Sequence, residues 1–262
     1  MFFGPMKIIS YNVMGLGGFE KRSEVKRLVA DKKPFVLCLQ ESKLNVVDDL
    51  LIKAIWGSTS LGFFFQPSMG ASGGLLTVWD CNVVEVYSTT SFPHVLVIRG
   101  RVLQTGQEFV IANIYAPCDT AAKQVLWNYL QLFISNNGEA NSCMCDDFNY
   151  VRFSEERRWR GSILRQHDFD IFNKFIDESS MIDLPICGRL FTWYRGDGVS
   201  MSHLDRFLLS FNWCTTWPNC IQLANQRGLS DYVPLELYAD VNNWGPRPLR
   251  MLKCWADFPG YE

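Results

Sequence analysis

Short apolar runs that stop abruptly in polar residues recur along this chain. Lys7 to Tyr11, Phe35 to Leu39, Leu75 to Trp79, Val83 to Tyr87, His94 to Leu103, Glu108 to Ile114 and Cys143 to Cys145 have the length and β-branched or aromatic content of strands, with turn residues between them. Apolar positions at helical spacing predict helices over Arg22 to Lys33 (Val25, Leu28, Val29), Val47 to Trp56 and Gln166 to Ser179. A further helix is expected from Ala121 to Ile134, capped by Asp119, with Val125, Leu126, Tyr129 and Phe133 on its apolar face. Ser154 to Gly161 reads as a polar connection. Leu190 to Tyr194 and Ser202 to Leu209 read as strands, and a last pair of strands flanks Gly228 to Leu235. The chain divides into an extension over 1–5, one domain over 6–240 and a Pro- and aromatic-rich tail over 241–262.

The polar residues at the ends of these runs are the candidate chemistry. The run Cys143 to Cys145 ends in Asp146, Asp147, Phe148 and Asn149. If strand geometry persists, Asp147 and Asn149 share a face, where a carboxylate and a carboxamide can orient a water and contact a phosphate oxygen. The same pair would equally close an Asx turn. Glu41 follows the second strand, where a lone carboxylate is also an ordinary loop residue. With Asn12, Tyr115, Asp205 and Asp231 these make seven polar interruptions of apolar runs, costly to a core unless they serve a site. Oxygen-rich donors suit Mg²⁺ or Mn²⁺ better than zinc. Gly15, Gly17 and Gly18 lack the spacing of a dinucleotide- or nucleotide-binding loop.

Composition narrows the context. The 262 residues are 48% hydrophobic and 20% charged, an ordinary globular balance. The net charge of −2 supplies no global attraction to nucleic acid, so such a partner requires a local basic patch. Arg157, Arg158, Arg160 and Arg165 form one, although such a run is also an ordinary solvated loop. The nine cysteines are scattered without a Cys-x-x-Cys pair, as expected for reduced thiols. No apolar run approaches the ~20 residues of a membrane span, and a soluble, intracellular monomer is the expectation.

Six motifs in order, Ile8-Ile-Ser-Tyr-Asn-Val13, Leu39-Gln-Glu-Ser42, Asn113-Ile-Tyr-Ala-Pro117, Asp146-Asp-Phe-Asn149, Leu204-Asp-Arg-Phe207 and Gly228-Leu-Ser-Asp231, resemble the endonuclease/exonuclease/phosphatase (DNase I-like) superfamily. Ile182-Asp-Leu-Pro, Gly188-Arg-Leu-Phe-Thr-Trp193 and Trp244-Gly-Pro-Arg-Pro are similar to the endonuclease domains of LINE-type (non-LTR) retrotransposons of plants. The resemblance implies an α/β fold, a four-layer sandwich of two mixed, mostly antiparallel sheets packed face to face with helices outside. It implies metal-assisted hydrolysis of a DNA phosphodiester, action in the nucleus and a reverse transcriptase beyond the tail. By position, Glu41 and Asn12 would hold the cation. Asp147 would orient the attacking water, Asn149 and Tyr115 would contact the phosphate, and Asp231 would lie beside the nucleophile. Asp205 would orient a histidine that the superfamily carries after Asp231.

Here the sequence departs from that pattern, because position 232 is Tyr. A phenol is about 0.1% ionised at pH 7 and is a poor general base. Asp146 also stands where the superfamily has Gly. His203, two residues before Asp205, is the histidine nearest in sequence to the site residues. Three readings follow: a weakened DNA-nicking endonuclease, a non-catalytic copy that at most binds DNA, and a phosphodiesterase on a small or lipid phosphate.

Overall fold

The computed structural model describes residues 6–69, 72–159 and 167–239. The chain runs β1 (Lys7–Asn12), α1 (Phe19–Lys32), β2 (Val36–Gln40), α2 (Asp49–Trp56), β3 (Leu61–Met69), β4 (Ser72–Asp80), β5 (Val84–Phe92), β6 (Val95–Val102), β7 (Glu108–Tyr115), α3 (Thr120–Ser135) and β8 (Ser142–Asp147). It continues through β9 (Arg157–Arg158), α4 (His167–Glu178), β10 (Ile182–Asp183), β11 (Ile186–Cys187), β12 (Trp193–Tyr194), β13 (Met201–Ser202), β14 (Asp205–Leu209), α5 (Phe211–Thr216), β15 (Cys220–Ala224) and β16 (Leu235–Ala239).

Two large mixed sheets result, one in the order β11-β15-β16-β1-β2-β4-β3 and the other β10-β14-β8-β7-β6-β5, with a small sheet β12-β13-β9 beside them. The two large sheets bury Ile8, Cys38, Ile111, Cys143, Cys145 and Phe207 between them. Val25, Val29, Ile52 and Ile55 of α1 and α2 cover the outer face of the first sheet. Leu126, Trp127 and Leu130 of α3, with Phe172, Phe175 and Ile176 of α4, cover the second. The expected four-layer arrangement is therefore observed, and strands covered on both faces explain why their sequences read as unbroken apolar runs.

Three local expectations change. The buried face of α3 is Lys123, Leu126, Trp127 and Leu130, whereas Val125 and Tyr129 are 70% and 42% exposed. Trp127 decides this orientation by stacking on Phe175 at 4.8 Å and lying against Phe172 at 5.3 Å. The expected strand from Ser202 to Leu209 is broken at His203 and Leu204, so that β13 joins the small sheet and β14 the large one. The polar connection after residue 154 contains β9, which pairs with β13. Arg160, Arg165, the extension 1–5 and the tail 241–262 with its Trp244 motif lie outside the described residues.

Candidate active site

The site grows out of a change of chemistry along the inner face of each strand. Alternate residues of a strand share a face. On the face between the sheets β1 runs Ile8, Ser10, Asn12; β2 runs Cys38, Gln40; β7 runs Ile111, Asn113, Tyr115; β8 runs Cys143, Cys145, Asp147. β1 pairs in parallel with β2, and β7 with β8, so all four turn polar at the same edge. β14 is antiparallel to β8, which sets its first residue, Asp205, directly opposite Asp147.

One layer below the edge lies a polar floor that sequence reading did not find. Gln40 Nε2 donates to Ser10 Oγ at 2.9 Å and to Asn113 Oδ1 at 2.7 Å. Asn113 Nδ2 donates across the sandwich to the Leu39 and Leu76 carbonyls and to Thr77 Oγ1. These buried side chains tie the two sheets together directly beneath the site. The available signal was that Ser10, Gln40 and Asn113 each stand two residues from the strand terminus or next to a site residue, on the inner parity.

At the edge itself, Asp147 is fully buried and held from both sides. Asn12 Nδ2 donates to its Oδ2 at 3.2 Å, and Asn149 N to its Oδ1 at 2.8 Å. The Tyr232 hydroxyl lies close enough to the same carboxylate to favour its charged form. Strand geometry does not persist past Asp147, because Asn149 has φ +51° and the Asx turn forms. The turn still holds Asn149 at this edge: Asn149 Nδ2 donates to Ala116 O at 2.7 Å, and buried Lys123 donates from Nζ to Asn149 O at 2.7 Å. Tyr115 donates to Glu41 Oε1, and Lys43 Nζ stands 3.5 Å from Glu41 Oε2. Ser230 Oγ, bonded to Asn12 O at 2.7 Å, ties the loop bearing Asp231 and Tyr232 to β1. Asp231 itself stays exposed at the rim, where its charge acts on Lys21. Seven of the eight predicted residues thus meet around one buried carboxylate, and the eighth borders them.

Burial dominates the electrostatics. It raises the Asp147 carboxyl to about 6 despite the hydrogen bonds from Tyr232, Asn149 and Asn12 that favour its charged form. Asp205 is pushed well above the usual carboxylate range by burial and then by the charge of Asp147. The Thr192 hydroxyl partly offsets this, yet Asp205 Oδ2 has no hydrogen-bond partner among the described residues. Tyr115 and Tyr232 are both raised far above an ordinary phenol, chiefly by burial, so both remain protonated donors at neutral pH.

His203 does not replace the missing imidazole. Its Nδ1 lies 3.5 Å from Glu156 Oε1, in a buried ionic cluster in which Arg206 bonds Glu156 at 2.6 Å and Asp183 at 2.7 Å. That cluster fixes the segment leading into β9. Arg157, beside Trp159 with its guanidinium 4.8 Å from the ring centroid, lines a cleft of about 370 Å³ together with Lys123, Asn149, Trp193, Leu204 and Tyr232. Arg158 is exposed. Asp146 pairs in register with Arg206, and its side chain lies outside the described atoms.

Glu41 and Asn12 offer oxygen donors only. Among the described residues Asn12 Oδ1 accepts one bond, from Met14 N at 3.2 Å, which leaves it a lone pair. No group of three or more His, Cys, Asp or Glu able to hold a metal occurs among the described residues. One carboxylate beside a carboxamide oxygen fits a magnesium-type site, in which water and substrate oxygens complete the shell, rather than an all-protein cage.

Two sheets with this edge define a sandwich hydrolase scaffold, and the comparisons agree. The description "Endonuclease/Exonuclease/phosphatase family" matches residues 9–231, and the chain belongs to that family. Its fold is shared with the AP endonuclease LMAP from Leishmania major (TM-score 0.69, 17% identity, 90% of this chain and 88% of that one). It is shared also with the endonuclease domain of TRAS1, a telomere-specific non-LTR retrotransposon (0.67, 12%, 91% and 100%). The 3′ phosphatase NExo from Neisseria, bound to product DNA hairpin, is similar over 90% of this chain and 99% of its own (0.68, 16%). Among curated proteins, none matches in sequence. No helix among the described residues is long and apolar enough to cross a membrane.

Proposed function

We propose that the chain hydrolyses phosphodiester bonds in DNA with a divalent cation, as a nicking endonuclease of retrotransposon type whose rate is held down by Tyr232. The observation that carries this reading is the convergence of Asn12, Glu41, Tyr115, Asp147 and Asn149, from both sheets, on one edge. Glu41 and Asn12 would hold Mg²⁺ or Mn²⁺, which when bound would offset charge developing on the phosphate and leaving oxygen. Asp147, with a carboxyl near 6, is ionised at neutral pH and more basic than an ordinary carboxylate, so it orients a water and accepts its proton. Tyr115 offers a hydroxyl hydrogen, and Asn149 its second amide hydrogen, to phosphate oxygens. Asp231 at the rim stands beside this group. Arg157 and Arg158, with Arg160 and Arg165 beyond the described residues, would bind the DNA backbone. A monomer acting in the nucleus, joined in the full element to a reverse transcriptase, belongs to the same reading.

One observation favours a second reading, a folded copy that binds DNA without cleaving it. The Tyr232 hydroxyl lies against the Asp147 carboxylate while Asp205 Oδ2 has no hydrogen-bond partner among the described residues. Nicking of supercoiled plasmid with Mg²⁺ or Mn²⁺, run beside a gel shift, separates the two. Cleavage that requires the metal and is lost in Glu41→Ala supports the first. Retardation without cleavage supports the second, and neither result would discard both.

A further inference from the structure

Glu41 and Lys43 both adopt left-handed backbone, at φ 49° and 55°, a region that side-chain-bearing residues enter only when their surroundings impose it. Here the surroundings do. Gly15 N and Leu16 N donate to the Glu41 and Ser42 carbonyls at 2.7 and 2.9 Å, while Ser42 N and Lys43 N donate to the Gly74 and Gly73 carbonyls at 2.9 and 3.1 Å. A Cβ on Gly74 would come within 2.5 Å of Ser42 Oγ, so the hairpin approaches this turn as closely as a glycine allows.

The clamped turn sets the two charges face to face. Tyr115 holds one carboxylate oxygen of Glu41, and the Lys43 ammonium lies 3.5 Å from the other. Lys43 reaches it from the solvent side: its side chain is 36% exposed and that of Glu41 12%. Lys21 stands close enough for its charge to act against that of Lys43, with Glu24 and Asp231 as its acidic neighbours. The Lys43 ammonium therefore stands against the carboxylate that a divalent cation would approach, with the Lys21 charge acting on it.

Resting on the metal reading above, we propose that Lys43 is the resident counter-ion of Glu41, displaced when a divalent cation binds, and that it thereby sets the metal affinity of the site. Displacement also relieves its repulsion with Lys21 and frees an ammonium group beside the position of the anionic substrate. Because the pair is partly solvated, the effect is modest: exposed ion pairs correspond to about two- to five-fold in an equilibrium constant.

The test is calorimetric titration of Mn²⁺ into the full chain at low ionic strength, for wild type, Lys43→Met, Lys43→Arg and Glu41→Ala, with thermal melts confirming that each is folded. Lys43→Met is expected to bind Mn²⁺ about two- to five-fold more tightly, with the gain shrinking as salt is added. Lys43→Arg, whose planar fork grips a carboxylate better, is expected to bind more weakly than wild type. Equal or weaker binding by Lys43→Met overturns the inference, and if Glu41→Ala has then lost binding, the metal reading stands alone. Absence of Mn²⁺ binding in wild type and Lys43→Met alike overturns both.

Discussion

Asp147 and Asp205 are register partners across β8 and β14, so that two buried carboxyl groups face each other at the end of the sandwich. Both are raised, and raised carboxyls favour the folded state while protonated. Their contribution is complete below the unfolded value near 3.9 and is lost as pH rises through the folded value. For Asp147 alone, the rise from 3.8 to about 6 corresponds to roughly 3 kcal/mol, gone by about pH 7. Asp205→Asn removes one of the two charges and supplies amide hydrogens toward Asp147. Thermal unfolding should show a variant more stable than wild type at pH 7 to 8, with a smaller loss between pH 5 and 8. A variant less stable than wild type at pH 8 would contradict this account.

Under the proposed function, Tyr232 is the residue that limits the rate. Tyr232→His presents an imidazole to Asp205, whose Oδ2 has no hydrogen-bond partner among the described residues, and is expected to raise plasmid nicking by ~10²-fold, the low end for a general acid or base. Tyr232→Phe should bring no gain, since it removes a donor from Asp147 and restores no base. Equal nicking by folded His and Phe variants would show that the position does not limit the rate.

Under the proposed function, the pH profile of nicking should report the Asp147 carboxyl. Below about 6 it carries a proton and cannot accept one from water, so the rate should fall on the acid side with an apparent midpoint near that value. The basic side should lack a phenolic limb in the neutral range, because Tyr115 and Tyr232 are raised far above it. An acid limb centred near 4 would remove Asp147 from the base role.

Arg206, 1% exposed, anchors the cluster with Glu156 and Asp183. Removing one member of a buried ion pair strands its partner, and Arg206→Met should cost about 3–5 kcal/mol in denaturant unfolding. Glu156 is held down to about 2 against burial by hydrogen bonding to His203 and by the Arg206 charge. Its contribution is therefore present above the unfolded value and lost as pH falls toward 2, and Glu156→Gln should abolish that acid-side loss. An unchanged acid limb in Glu156→Gln would assign the loss to other groups.

Most of the architecture was legible in the order of residues. Apolar runs and helical spacing are local properties, and β1, β2 and β4 to β8 followed from them, whereas β3 did not. The six motifs named the candidate residues: four sit where a strand runs out, Asp205 opens β14, and Asp231 lies in the loop before β16. Position 232 identified itself by being a phenol where the resemblance expects an imidazole.

Tertiary packing decided the rest. Which face of α3 is buried depended on Trp127 meeting Phe172 and Phe175, residues more than forty positions away. The break between β13 and β14 arose because two sheets compete for that segment. Local pattern could not show that Tyr232 lies against Asp147, that Asp205 Oδ2 has no hydrogen-bond partner among the described residues, that Gln40 and Asn113 bridge the sheets, or that Lys43 stands 3.5 Å from Glu41. Periodicity along a chain states which residues share a face. What that face meets is fixed only when strands distant in sequence pack, and there burial and neighbouring charge set the chemistry of each group.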